Sequence, residues 1–123
     1  MEAKSWVIDL SCEVQPNKED YREERVPYDV WTSRTLISFP SGCQNRVGLR
    51  LIFNGEQIFP KNTTWTALED TTQTFFLVKK IPKDRTIRAE YKNNDTKNPH
   101  WISVLVQVST FHPLIVIDPR NAY

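Results

Sequence analysis

The chain has 123 residues, with sixteen Lys and Arg against fifteen Asp and Glu and a net charge of +1. That length suits one domain around one core, and the even charge balance removes any bulk electrostatic reason to expect nucleic acid or an anionic membrane as a partner. No run approaches the roughly 18 consecutive apolar residues of a membrane span, and residues 1–6 lack the basic flank and apolar run of a secretory signal. A cytoplasmic origin is therefore expected, with Cys12 and Cys43 reduced rather than bridged.

Helical periodicity is nearly absent, whereas period-two alternation recurs along the chain. Trp6, Ile8, Leu10, Cys12 and Val14 alternate with Val7, Asp9, Ser11 and Glu13, which predicts one half-buried strand over 6–14. Residues 15–25 are rich in mixed charge and read as a solvated loop or one helical turn; the sharper reading is a loop that docks on a neighbouring subunit. A short apolar strand follows at 36–39, ended by a turn at Pro40-Ser41-Gly42. Val47, Leu49, Leu51 and Phe53 then alternate with Gly48, Arg50, Ile52 and Asn54. The Asn54-Gly55 pair is the dipeptide that a two-residue type I′ hairpin requires, because both central residues take positive φ.

Further strands are predicted around Phe75 and Leu77, at Ile87, Ala89 and Tyr91, and from 101 to 110, where Ile102, Val104, Val106 and Val108 share a face. Pro82-Lys83-Asp84 supplies a turn, and 92–99, with three Asn, an Asp and a Pro, a polar loop. The sum is one all-β domain over 1–123, an antiparallel β-sandwich of jelly-roll or Greek-key type with seven to nine strands. A five-stranded OB-like barrel ranks second, because the chain offers too many strands for it. Residues 111–123 hold the apolar run Leu114-Ile115-Val116-Ile117 between Pro113 and Pro119. It reads either as a last strand of the same domain or as a C-terminal arm that pairs with another protomer's sheet edge.

Chemistry is sparse. His100 and His112 sit in no HxH, HExxH or CxxC frame, no GxSxG elbow is present, and Cys43 lies in a turn without a neighbouring base. Neither a metal nor a cofactor is expected, nor is enzymatic activity. The aromatics are the better lead. Trp6 and Trp101 fall at the starts of alternating strands and are assigned to packing. Trp65, between Thr64 and Thr66, reads first as a partly buried Trp covering the sandwich end; of the four tryptophans it is also the best candidate for exposure, as a protein anchor or, with Tyr91, a platform for a sugar face.

The middle of the chain also runs Phe39-Pro40-Ser41-Gly42-Cys43, Val47-Gly48-Leu49-Arg50 and Asn54-Gly55-Glu56-Gln57-Ile58-Phe59-Pro60. Asp70, Asn93-Asn94-Asp95 and His100-Trp101-Ile102 follow. Over residues 37–108 this order resembles a group of small uncharacterised β-sandwich proteins of tailed phages and prophage-like regions. The resemblance implies a virion component such as a capsid decoration, head-fibre or tail-attachment protein, assembled in a host cytoplasm and present in the particle. The partners expected are further copies of the chain or capsid and tail proteins, with a glycan as the alternative and neither nucleic acid nor membrane. The contact residues expected are Leu114, Ile115, Val116 and Ile117, with Trp65 beside them.

Overall fold

A computed structural model describes residues 3–114. Ten strands run in chain order: β1 (Ser5–Asp9), β2 (Cys12–Val14), β3 (Glu19–Arg25), β4 (Val30–Phe39), β5 (Val47–Phe53), β6 (Glu56–Phe59), β7 (Thr71–Phe76), β8 (Lys80–Ile81), β9 (Thr86–Asn93) and β10 (His100–Ser109). They form two antiparallel sheets. The first has the order β1-β10-β4-β7, with β2 continuing beside β10 and β8 beside β4; the second has the order β3-β9-β5-β6. Neighbours in each sheet are mostly distant in sequence, so the chain crosses repeatedly between layers. With β1–β2 and β7–β8 each taken as one interrupted strand, eight strands remain in the interleaved order of a jelly roll.

Both interruptions have local causes, and they explain why there are ten strands rather than seven to nine. Ser5 pairs with Ser109 and Cys12 with Ile102, so β1 and β2 keep one unbroken register along β10. Between them the Leu10 N–H donates to the Val104 carbonyl at 2.8 Å. The Ser11 hydroxyl, in place of a backbone carbonyl, accepts from the Val104 N–H at 3.0 Å. On the other edge, β4 advances three residues from Trp31 to Arg34 while its partner runs back four, from Lys80 to Phe76. The Thr32 hydroxyl fills that bulge, donating to the Leu77 carbonyl at 2.7 Å and accepting from the Lys79 N–H at 3.0 Å.

Against β10 the extra residue lies in β4 itself, where Thr32 to Thr35 faces the shorter step from Val108 to Val106, and this bulge reverses the phase of β4. Val30 and Thr32 face the core, Arg34 faces solvent, and Thr35, Ile37 and Phe39 face the core again. That is why the alternating pattern announces only 36–39 and not the full strand from Val30. The charged segment also departs from expectation: residues 19–25 form strand β3, paired along its length with β9 from Glu19–Lys92 to Arg25–Thr86. All seven of its residues are exposed.

The core lies between the sheets. Ile8, Val30, Ile37, Val104, Val106 and Val108 from one layer meet Leu49, Leu51, Phe53, Ile87, Ala89 and Tyr91 from the other, all essentially without solvent exposure. The β5–β6 hairpin closes as expected, with positive φ at Asn54 (52°) and Gly55 (80°). Cys12 and Cys43 are free buried thiols. One polar atom stands out in this interior, because the Thr35 hydroxyl is buried and has no hydrogen-bond partner. Replacing it with an isosteric methyl, Thr35→Val, is expected to raise stability by about 1 kcal/mol, since an unmatched buried hydroxyl carries a desolvation cost. Urea denaturation would read this as a higher midpoint at unchanged slope, and a destabilised variant would refute it.

Candidate contact faces and the loop cluster

The two outward sheet faces differ in chemistry. On the β3-β9-β5-β6 sheet, outward positions include Tyr21, Arg88, Glu90 and Arg50, placed side by side by the register. Glu90 takes Arg50 Nε on one carboxylate oxygen at 2.5 Å and Arg88 Nε on the other at 2.7 Å. Each guanidinium then lies over an aromatic ring, Arg50 at 4.2 Å from the Trp65 centroid and Arg88 at 3.7 Å from that of Tyr21. Burial pushes the Glu90 carboxyl up, but the hydrogen bonds and charges of the two arginines outweigh it, and the group sits below its ordinary range. The charges of Arg50, Glu90, Arg88 and Glu23 are answered within the face.

Trp65 is therefore half-buried, as the first of its two sequence readings has it. Its chain segment is tied to β5 by reciprocal bonds between Leu49 and Thr66, at 2.8 and 3.0 Å. Its side chain lies across Gly48, where an added Cβ would come within 3.2 Å of the Trp65 Cβ and ring. Tyr91, the second aromatic considered for a sugar face, is fully buried. Its hydroxyl, pushed above its ordinary range by burial, donates across the core to the Leu10 carbonyl.

The outward face of the β1-β10-β4-β7 sheet is nearly free of charge. Its central strands present Trp101, Ser103, Leu105 and Gln107 on β10 beside Leu36 and Ser38 on β4, and β7 adds Thr72, Thr74 and Phe76. Charge enters at its margins, at Asp9 and Glu13 on one edge, at Arg34 in the bulge and at Lys80 on β8, which lies over the Trp31 ring. Trp101 and Phe76 are about half exposed, at 53% and 52%, and Val7 reaches 56%. Serine and threonine hydroxyls fill the spaces, with Ser38 and Thr72 bonded at 2.9 Å and the Trp101 indole N–H on Ser103 at 3.2 Å. Depletion of charge with retained aromatics is the compositional mark of an interface core.

At one end of the sandwich, three loops meet around two carboxylates. Asp95 accepts from the backbone N–H groups of Lys97 (2.9 Å) and Asn98 (3.2 Å) and contacts His100 Nε2 at 2.9 Å. Asn93 reaches from the same loop to the Val14 and Asn98 carbonyls, both at 3.0 Å. Glu69 accepts from the Gln44 and Gly42 N–H groups at 2.9 and 3.0 Å. His100, which falls between the polar loop read over 92–99 and the strand read from 101, is the buried first residue of β10. The Lys97 N–H and the His100 ring hold Asp95 well below the ordinary carboxylate range, and the Gln44 and Gly42 N–H groups lower Glu69.

These groups clamp loops. Burial, with the charge of Glu69, pushes the Cys43 thiol up to about 11, the reverse of what a nucleophile needs. Among the described residues no three His, Cys, Asp or Glu side chains group as a metal site. Because both carboxylates are depressed in the folded state, their stabilisation is complete above the ordinary carboxylate range and is lost as pH falls through it. Tm is expected to hold from about pH 7 to 5 and to fall below about pH 4. Asp95→Asn should lower the neutral plateau and flatten the acid limb, so an unchanged acid limb would exclude Asp95 as its source.

Of the contact residues expected from sequence, Leu114 is exposed at 59%, while Ile115, Val116 and Ile117 lie outside the described residues. The Leu114 N–H donates to His112 Nδ1 at 3.0 Å, and the His112 ring packs on Trp31 at 5.9 Å, beside β8. Sequence reasoning passed over Trp101 and Phe76. For Trp101 the signal was present: once Ile102, Val104, Val106 and Val108 are assigned to the core, alternation puts Trp101 on the opposite face.

No protein-family model matches the chain, and no curated protein matches it. Among solved structures, a chain in the structure of infectious bursal disease virus Gx strain is similar at 15% identity and a TM-score of 0.43. The match covers 93% of this chain and 33% of that one, so this chain spans about a third of its length.

Proposed function

We propose that this chain is a structural, non-enzymatic virion protein, a capsid decoration, head-fibre or tail-attachment component that acts through protein–protein contacts. The observation that carries the reading is the charge-poor centre of the outward face of the β1-β10-β4-β7 sheet, with Trp101, Leu105, Leu36 and Phe76 set among hydroxyl side chains. That centre offers a partner area to dehydrate, with charge confined to its margins. The jelly-roll order is compatible with that role, being one on which capsid domains are built, though lectins and cupins share it. The residues 114–117 belong to the same proposal as a second, terminal contact.

Purified particles are expected to contain the chain. The double variant Trp101→Lys, Leu105→Lys, which places two charges on outward positions, is expected to fold with an unchanged far-ultraviolet circular dichroism spectrum and to be missing from particles. A chain absent from particles, or a folded variant still incorporated at wild-type level, would overturn the reading. Truncation after Thr110 probes the terminal contact separately, since a folded truncation that still assembles removes residues 114–117 from the proposal.

A further inference from the structure

The side of the sandwich between β6 and β7–β8 is open and apolar. A groove of about 360 Å³ runs there, lined by Ile58, Phe59, Phe75, Phe76 and Leu77, with Lys61 at its rim. Phe59 and Phe75 stack across it at 5.4 Å and form its floor. β6 pairs only with β5 and β7 only with β4, so each presents an outer backbone edge with no strand beside it among the described residues. An apolar cleft between two unpaired edges is the geometry that accepts an extended segment by strand addition.

We infer that this groove receives the run Leu114-Ile115-Val116-Ile117 of a second copy of the chain. The inference deepens the contact reading above and rests on it. Four extended residues span about 13 Å, which matches the four-residue strand β6 along the groove. The next residue in the chain is Asp118, which complements Lys61 at the rim. On its own protomer Leu114, the first residue of the run, is exposed, as is Phe111 before it, which leaves both open to a second copy.

Mixing experiments test this with the full-length chain. Wild type is expected to associate as concentration rises, above the 14.4 kDa of one copy, in sedimentation velocity. Phe76→Asp disables the groove at a half-exposed position that tolerates charge, and Val116→Asp disables the run. Each alone is expected to stay monomeric, while an equimolar mixture, holding one intact groove and one intact run, is expected to recover a dimer. A mixture that remains monomeric overturns the inference, as does a monomeric wild type in which Val116→Asp lowers Tm, because the run would then occupy its own groove. If either occurs while purified particles contain the chain, the virion reading stands and only this contact is lost.

Discussion

Tyr91→Ala should lower stability by about 3–5 kcal/mol, the usual cost of removing a large aromatic side chain from a packed interior. For a domain of this size that corresponds to a drop in Tm of roughly 10–20 °C, readable by calorimetry or circular dichroism. Tyr91 is the largest fully buried side chain. Its hydroxyl is also one of the few polar links across the layers, running from β9 to the Leu10 carbonyl where β1 and β2 are interrupted. Tyr91→Phe separates the two contributions. It keeps the ring and removes only the donor, and is expected to cost about 1–3 kcal/mol, because Leu10 is left with an unmatched buried carbonyl. If the Phe variant is as stable as wild type, the cross-layer bond contributes nothing and only the ring matters.

The second large effect is expected at Gly48. Even a methyl there would press on Trp65 at 3.2 Å, and the atoms met are the Trp65 Cβ and the near edge of its ring rather than a flexible tip. Gly48→Val must therefore displace the indole. We expect a cost of about 1–3 kcal/mol, typical of overpacking, together with a red shift of tryptophan emission as Trp65 leaves Gly48 and Arg50. Trp65→Ala in the Gly48→Val background should recover part of that loss, since the clash then has no partner. If Gly48→Val keeps wild-type stability and emission, the close approach is not a constraint on this face.

Much of the fold was legible in the chain because core strands obey a simple rule. Where the extra residue of a bulge falls on the partner strand, as at Val47, Leu49, Leu51 and Phe53 or at Ile102 through Val108, alternating residues are buried as the pattern states. The hairpin at Asn54-Gly55 was equally plain, since only a few residue types accept that backbone. Strand β4 was half hidden because the extra residue near Arg34 flips its phase, and a bulge leaves no compositional mark. Strand β3 was hidden altogether. It lies at an edge with both faces wet, so nothing selects apolar residues there, and its charges resemble those of a loop.

The candidate site was less legible, for a different reason. Trp65 sits in a polar stretch that left exposure open beside partial burial, and what covers it is Arg50, a partner fifteen positions away that only the fold brings over the ring. The reverse holds for Trp101, whose place at the head of an alternating apolar strand suggested packing but whose side chain faces outward. Exposure depends on which neighbour crosses above a residue, and linear context does not carry that.

The edge strand β3 has a consequence for how copies can be arranged. Its register sets Asp20, Arg22 and Glu24 on the side facing the other layer, with Asp20 paired to Arg22 at 3.2 Å and touching Cys12 at 3.6 Å. Charges turned toward the interlayer gap deter an incoming strand, so one flank of the sandwich is barred to growth while the opposite flank is receptive. Edge-to-edge contact is then left only between like flanks, an isologous arrangement that closes at two copies instead of growing into a filament.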